Sequence, residues 1–159
     1  MEAPAPVVSA CYTPDVTERP AVDPSLRERL AAAIAAGPPL TLAVLFGSAA
    51  EGRLRVDSDA DVAIVPTADG LDAADETQLR RRLSEAARRD VDLVRVDEAS
   101  TLLKWRIATT GIPVYETRPG TFARFQARAA SEYVEYAPAL AHFGELFRRR
   151  VAGAPRSRP

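Results

Sequence analysis

Two hydrophobic periodicities alternate along the chain. Four short apolar runs, LTLAVLF (40–46), ADVAIVP (60–66), VDLVRV (91–96) and IPVYE (112–116), are bounded by glycine, proline or charged residues and read as strands. Pro113 cannot donate to a ladder, so the last run is expected at a sheet edge. Between them the apolar spacing is helical. A helix is expected from Asp23-Pro24-Ser25 through LRERLAAAIAAG to Gly37-Pro38, with Leu26, Leu30, Ala33 and Ile34 on one face. Another spans 72–89, with Leu79, Leu83 and Ala86 inward and Arg80, Arg81, Arg82 and Arg88 mostly in water. A third, 97–111, has an acidic first turn and Gly111 as its stop. Residues 48–58 are expected as a small helix or loop. From about 119 to 150, Phe122, Phe125, Ala129, Tyr133, Tyr136, Leu140, Phe143 and Phe147 recur every three or four positions. That is one long helix, which Pro138 is expected to kink or split.

The alternation predicts an α/β fold, a small mixed β-sheet flanked by helices, with a long C-terminal helical segment. Residues 1–24 hold five prolines and no apolar period and read as a flexible arm. The core is expected over 25–118, a helix or helix pair for packing and partner contact over 119–150, and a loose tail over 151–159. No internal repeat is present.

Composition mostly excludes. At 159 residues the chain fits one domain with a real core. The net charge of −1 gives no electrostatic support for sequence-independent nucleic-acid binding, and none is expected. Lys104 is the single lysine, an arginine bias in keeping with GC-rich codons. Cys11 and His142 are the only cysteine and histidine, so an internal disulfide framework and Cys/His zinc clusters are ruled out. The N-terminus lacks the pattern of a secretory signal and no apolar stretch approaches a membrane span, so a cytoplasmic protein is the expectation.

The chemistry concentrates in LFGSAAEGRLRVDSDADVAIV (45–65). On a strand, Asp59 and Asp61 project to one face with Cα atoms roughly 6.6 Å apart. Carboxylates about 5 Å apart repel by about 3 kcal/mol at an effective dielectric near 20, and Mg²⁺ turns that repulsion into a binding site. An acidic turn that merely opens a strand is the plainer reading of the pair alone. Asp92, flanked by apolar residues in VDLV, joins the cluster if its strand lies beside 60–66; otherwise it is a surface aspartate on an edge strand. Three carboxylates around metal suit phosphoryl or nucleotidyl transfer: two ions can bridge the attacking and leaving oxygens, and one carboxylate can take the proton from an acceptor hydroxyl. Gly47 permits a sharp turn and close approach to a ligand, and Ser48 can donate to a phosphate oxygen or simply cap a helix.

Taken together, GS, ten residues, DxD, a strand and a later lone aspartate resemble the nucleotidyltransferase superfamily of the DNA polymerase β type, and within it the minimal nucleotidyltransferases. The resemblance spans roughly residues 26–150. It implies that Gly47 and Ser48 form the triphosphate-binding turn, that Asp59 and Asp61 are the metal pair, and that Asp92 is the third acid; all three carboxylates would be catalytic and metal-ligating, with ATP and Mg²⁺ as cofactors. Where such proteins often carry arginines around the turn, as in GSRARG, this chain has Ala49 and Glu51. It keeps Gly52, and Arg53 or Arg55 would supply the cation.

The resemblance further implies an antitoxin that places AMP from ATP on a tyrosine hydroxyl of a HEPN-family ribonuclease toxin, in a homo- or hetero-oligomer. LLKWRIATTGIPVYE and the later aromatic-acidic helix also resemble those antitoxins. About forty residues after Gly111 are too few for a separate acceptor pocket, so another chain is expected to bring the acceptor. Two alternatives stand beside this reading: a small-molecule nucleotidyltransferase of the aminoglycoside type, and a binding-only antitoxin with a vestigial site.

Overall fold

In a computed structural model the protein is described over residues 23–52 and 58–152, with 139–152 as backbone alone. The expected arm before Asp23, Arg53 and Arg55 at the turn, and the tail from 153 lie outside the described residues.

Helix α1 (Pro24–Ala35) starts where the sequence marks it: proline opens the first turn and the Asp23 carboxylate accepts from the Ser25 N–H at 2.9 Å. Strand β1 (Leu40–Phe46) runs into a one-turn helix, α2 (Gly47–Ala50), and β2 (Ala60–Pro66), α3 (Ala73–Ala87), β3 (Val91–Arg95), α4 (Thr101–Thr110), β4 (Ile112–Glu116) and α5 (Thr121–Ala152) follow. The sheet order is β3-β2-β1-β4. β1 is antiparallel to both of its neighbours while β2 and β3 are parallel, so the sheet is mixed and the strand with Pro113 lies at an edge.

Strand alternation splits the core in two. Ala43, Leu45, Val62 and Ile64 face α1 and α3 and pack on Leu30, Leu79 and Leu83. Leu42, Val44, Phe46 and Ala63 face the other way and pack on Ile107 of α4 and Phe122 of α5. Burying each of these large aliphatic side chains contributes about 1.5–3 kcal/mol before chain entropy is counted.

Three boundaries differ from the pattern-based expectation. α4 begins at Thr101 because Asp97 and Glu98, which looked like its acidic first turn, are held by Arg95 at 2.8 and 3.1 Å. Ser100 is the cap, accepting from the Leu103 N–H at 3.3 Å. α3 ends early, on Arg88 in the left-handed region (φ 58), and buries Ala87 rather than Ala86. α5 is not split: it continues through Pro138. A proline leaves the carbonyl four residues back without its donor; that residue is Val134, 70% exposed, where water can take the bond.

α5 lies antiparallel to α4. Gln126 Nε2 donates to the Ala108 carbonyl at 2.7 Å, Lys104 Nζ donates to Glu132 Oε2 at 3.1 Å, and Trp105 stacks on Tyr133 with ring centroids 4.8 Å apart. Because α4 starts at Thr101, its facing helix runs out near Ala137, and α5 continues beyond it.

Gly111 ends α4 with ordinary dihedrals (φ −72, ψ 155), yet a Cβ there would collide with the Ile107 carbonyl and the Val44 side chain. Gly111→Ala is therefore expected to destabilise the fold by about 1–3 kcal/mol, read as a lowered urea midpoint with an unchanged slope.

Candidate active site

The antiparallel register sets Phe46, the last residue of β1, opposite Asp61, and the parallel register sets Asp61 opposite Asp92. The three stand in one row across β1, β2 and β3, on adjacent strands about 4.8 Å apart. Parity puts Asp61 and Asp92 on the same face as Ala63 and Val94, the face that α4 and α5 cover further along the strands. Asp61 is half-buried; Asp92, on the edge strand, and Asp59, just before β2, are exposed. An exposed Asp92 beside Asp61 is thus both a surface aspartate and a neighbour of the pair.

The segment that carries Asp59 is anchored on both sides. The Ala60 N–H donates to the Asp90 carbonyl at 2.9 Å, and Arg89 Nη1 donates to the Ser58 carbonyl at 3.1 Å. Gly47 follows Phe46 with φ +66, and its missing side chain leaves the space that the Asp61 carboxylate fills. Only glycine allows that approach. Ser48 lies inside α2 and is partly buried; the capping position belongs to Phe46, which offers no side-chain bond.

Electrostatics mark Asp61 as the strained member. Burial raises its pKa above 3.8, the charges of Asp92 and Asp59 raise it further, and Arg106 pulls it down. Crowded carboxylates of this kind call for a cation. Among the described residues no three His, Cys, Asp or Glu side chains form a ready metal cage. An open set suits Mg²⁺, which keeps several waters and takes one or two carboxylates plus substrate phosphates.

Arg106 lies in LLKWRIATTGIPVYE, a stretch noted for its resemblance, but was given no role in the site. It reaches from α4 toward the turn, with Nη2 3.9 Å from Glu51 Oε1. The available signal was the lack of arginine in GSAAEG, which required a cation from elsewhere. A groove of about 440 Å³ between the sheet, α4 and α5, lined by Leu42, Val65, Val96, Lys104, Phe125 and Glu132 among others, lies toward the opposite ends of these strands and holds none of the site carboxylates. Among the described residues no helix is long and apolar enough to cross a membrane.

A four-stranded mixed sheet with a glycine–serine turn beside paired aspartates is the framework of a nucleotidyl-transferring domain. Residues 28–119 match the family model described as polymerase beta, nucleotidyltransferase, and the chain belongs to that family. Among individual proteins it is similar to the protein adenylyltransferase MntA of Shewanella oneidensis, 38% identical over 81 residues, which are 51% of this chain and 58% of that relative. The chain thus matches less than two thirds of that relative's length. Two solved structures share its fold. One, a toxin–antitoxin crystal structure with AMP-PNP, has a TM-score of 0.65 at 29% identity and covers 76% of this chain and 98% of its own. The other, a tri-AMPylated Shewanella oneidensis HEPN toxin in complex with an MNT antitoxin, has a TM-score of 0.59 at 27% identity and covers 77% and 96%.

Proposed function

We propose that this chain is the antitoxin of a HEPN ribonuclease toxin and silences it by transferring AMP from ATP to a tyrosine hydroxyl of the toxin. The observation that carries the reading is the row Asp61–Asp92 beside the Gly47 turn, in a chain similar to a protein adenylyltransferase. Relatives solved with AMP-PNP and with an AMPylated HEPN toxin support the choice of donor and acceptor.

In this proposal Gly47 and Ser48 cradle the outer phosphates, joined by Arg53. Asp59 and Asp61 would hold Mg²⁺, with Asp92 beside Asp61 on the neighbouring strand as the third acid. When bound, the metal neutralises phosphate charge and polarises the phosphorus under attack. Asp92, exposed at the sheet edge, takes the proton of the incoming hydroxyl. The acceptor oxygen bonds to the α-phosphorus, and the bond to the β-phosphate bridging oxygen breaks, releasing pyrophosphate. A cytoplasmic site of action suits this pair of substrates.

The acceptor comes from outside the chain. Beyond Ala137 α5 has passed its facing helix, and at 32 residues it is about 48 Å long, roughly twice the length of β1. The C-terminal half of α5 is proposed as the toxin contact. Exposed Val134 and Tyr136 adjoin it.

Intact-mass measurement tests the reading: the proposed HEPN toxin partner, incubated with this chain, ATP and Mg²⁺, is expected to gain one or more adenylyl groups. The negative charge of Glu51 beside the phosphate turn keeps the binding-only antitoxin as the second reading. An unchanged toxin mass alongside full neutralisation would establish it instead.

A further inference from the structure

We propose that Arg106 is a phosphate-binding residue for the nucleotide, and that Glu51 holds it in reserve until the triphosphate takes its place. The inference rests on the nucleotidyltransferase reading and adds to it a residue from a different element, together with a competitor.

Position comes first. Glu51 is the C-cap of α2, the one-turn helix whose first residue is Gly47, and its backbone N–H donates to the Gly47 carbonyl at 3.2 Å. Its carboxylate is therefore tied to the turn proposed to hold the outer phosphates. Arg106 sits on α4, one turn before Gly111 and β4, and its guanidinium points toward that carboxylate. The same cation is near enough to Asp61 to lower its pKa against the effect of burial. Arg106 is thus within electrostatic reach of both the phosphate turn and the carboxylate row.

Charge balance comes second. Asp59, Asp61, Asp92 and Glu51 are all acidic, so a triphosphate brought against them gains from each nearby cation in addition to the metal. A guanidinium offers a planar pair of donors that match two phosphate oxygens.

The quality of the existing bond comes third. At 3.9 Å, with Arg106 58% exposed, the pair to Glu51 contributes little to holding α4 on α2. It is a weak pair that a phosphate can displace. Glu51 then has a definite effect: it competes with ATP for the guanidinium, so removing its charge should help binding while removing Arg106 should hurt it.

Calorimetric titration of ATP and of AMP, each with Mg²⁺, into the wild-type chain and into Arg106→Gln, Glu51→Gln and the double variant tests this. Arg106→Gln is expected to weaken ATP binding about tenfold or more, to leave AMP binding within twofold, and to keep the melting temperature. Glu51→Gln is expected to tighten ATP binding by about two- to fivefold, a gain that disappears in the double variant. If the wild type binds ATP and Arg106→Gln binds it equally well, or if Glu51→Gln also weakens binding, the assignment of Arg106 fails while the nucleotidyltransferase reading stands. A wild-type chain that binds no ATP overturns both.

Discussion

Asp61→Asn is expected to cut adenylyl transfer by at least about a thousandfold, the several kcal/mol that a catalytic metal supplies, and to leave a folded protein that is slightly more stable in the absence of metal. Catalysis and stability pull apart here because Asp61 is held in an unfavourable place. Burial, then Asp92, then Asp59 raise its pKa, and Arg106 offsets only part of the effect. Where the folded pKa lies above the unfolded one, the folded chain keeps a proton that the unfolded chain has released. Stability therefore falls as pH climbs from about 3.8 through the raised value, and it stays lower above that interval. Asparagine keeps the shape and removes the charge, so that fall should be absent. The gain at neutral pH is about 1 kcal/mol or less, since solvent screens a half-exposed cluster. Thermal unfolding in chelator from pH 4 to 8 reads the stability; added Mg²⁺ should raise the wild-type transition and leave that of Asp61→Asn in place. Transfer surviving in Asp61→Asn would remove the carboxylate row from the chemistry.

Gly47→Ala should do more damage than a methyl group usually does. The left-handed backbone (φ +66) costs a non-glycine residue about 1–2 kcal/mol, and the new Cβ would fall on the Asp61 carboxylate. Strain and displacement of the key side chain arrive together, so stability drops by that amount and transfer is lost with it. Gly70 separates the two effects. It also has positive φ (+83), and a methyl group added there would meet nothing within 4 Å. Gly70→Ala should show the strain alone: a comparable drop in the urea midpoint with transfer intact. Equal loss of transfer in both variants would mean that Gly47 matters only for folding.

The strands were legible because each is short, apolar and punctuated: Leu40–Phe46, Ala60–Pro66 and Ile112–Glu116 have the bounds that the runs imply. Helix ends were less so. Asp97 and Glu98 look like a first helical turn until Arg95 is seen to hold them, and Arg88 ends α3 in a conformation that no glycine announces. Pro138 breaks helices in general, but here the carbonyl it orphans belongs to a residue that faces water.

Of the candidate site, the chain order by itself determined which residue types were available: a glycine–serine turn after one strand, an aspartate pair opening the next, and an aspartate at the start of a third. These follow from local spacing, because i and i+2 on a strand share a face whatever surrounds them. Only the tertiary structure decided that β3 pairs with β2 in the register that sets Asp92 against Asp61, that the bare side of Gly47 makes room for Asp61, and that α4 brings Arg106 to Glu51. Strand order and helix placement arise from burying two opposite sheet faces at once. That is a property of the whole chain, which no single stretch of it encodes.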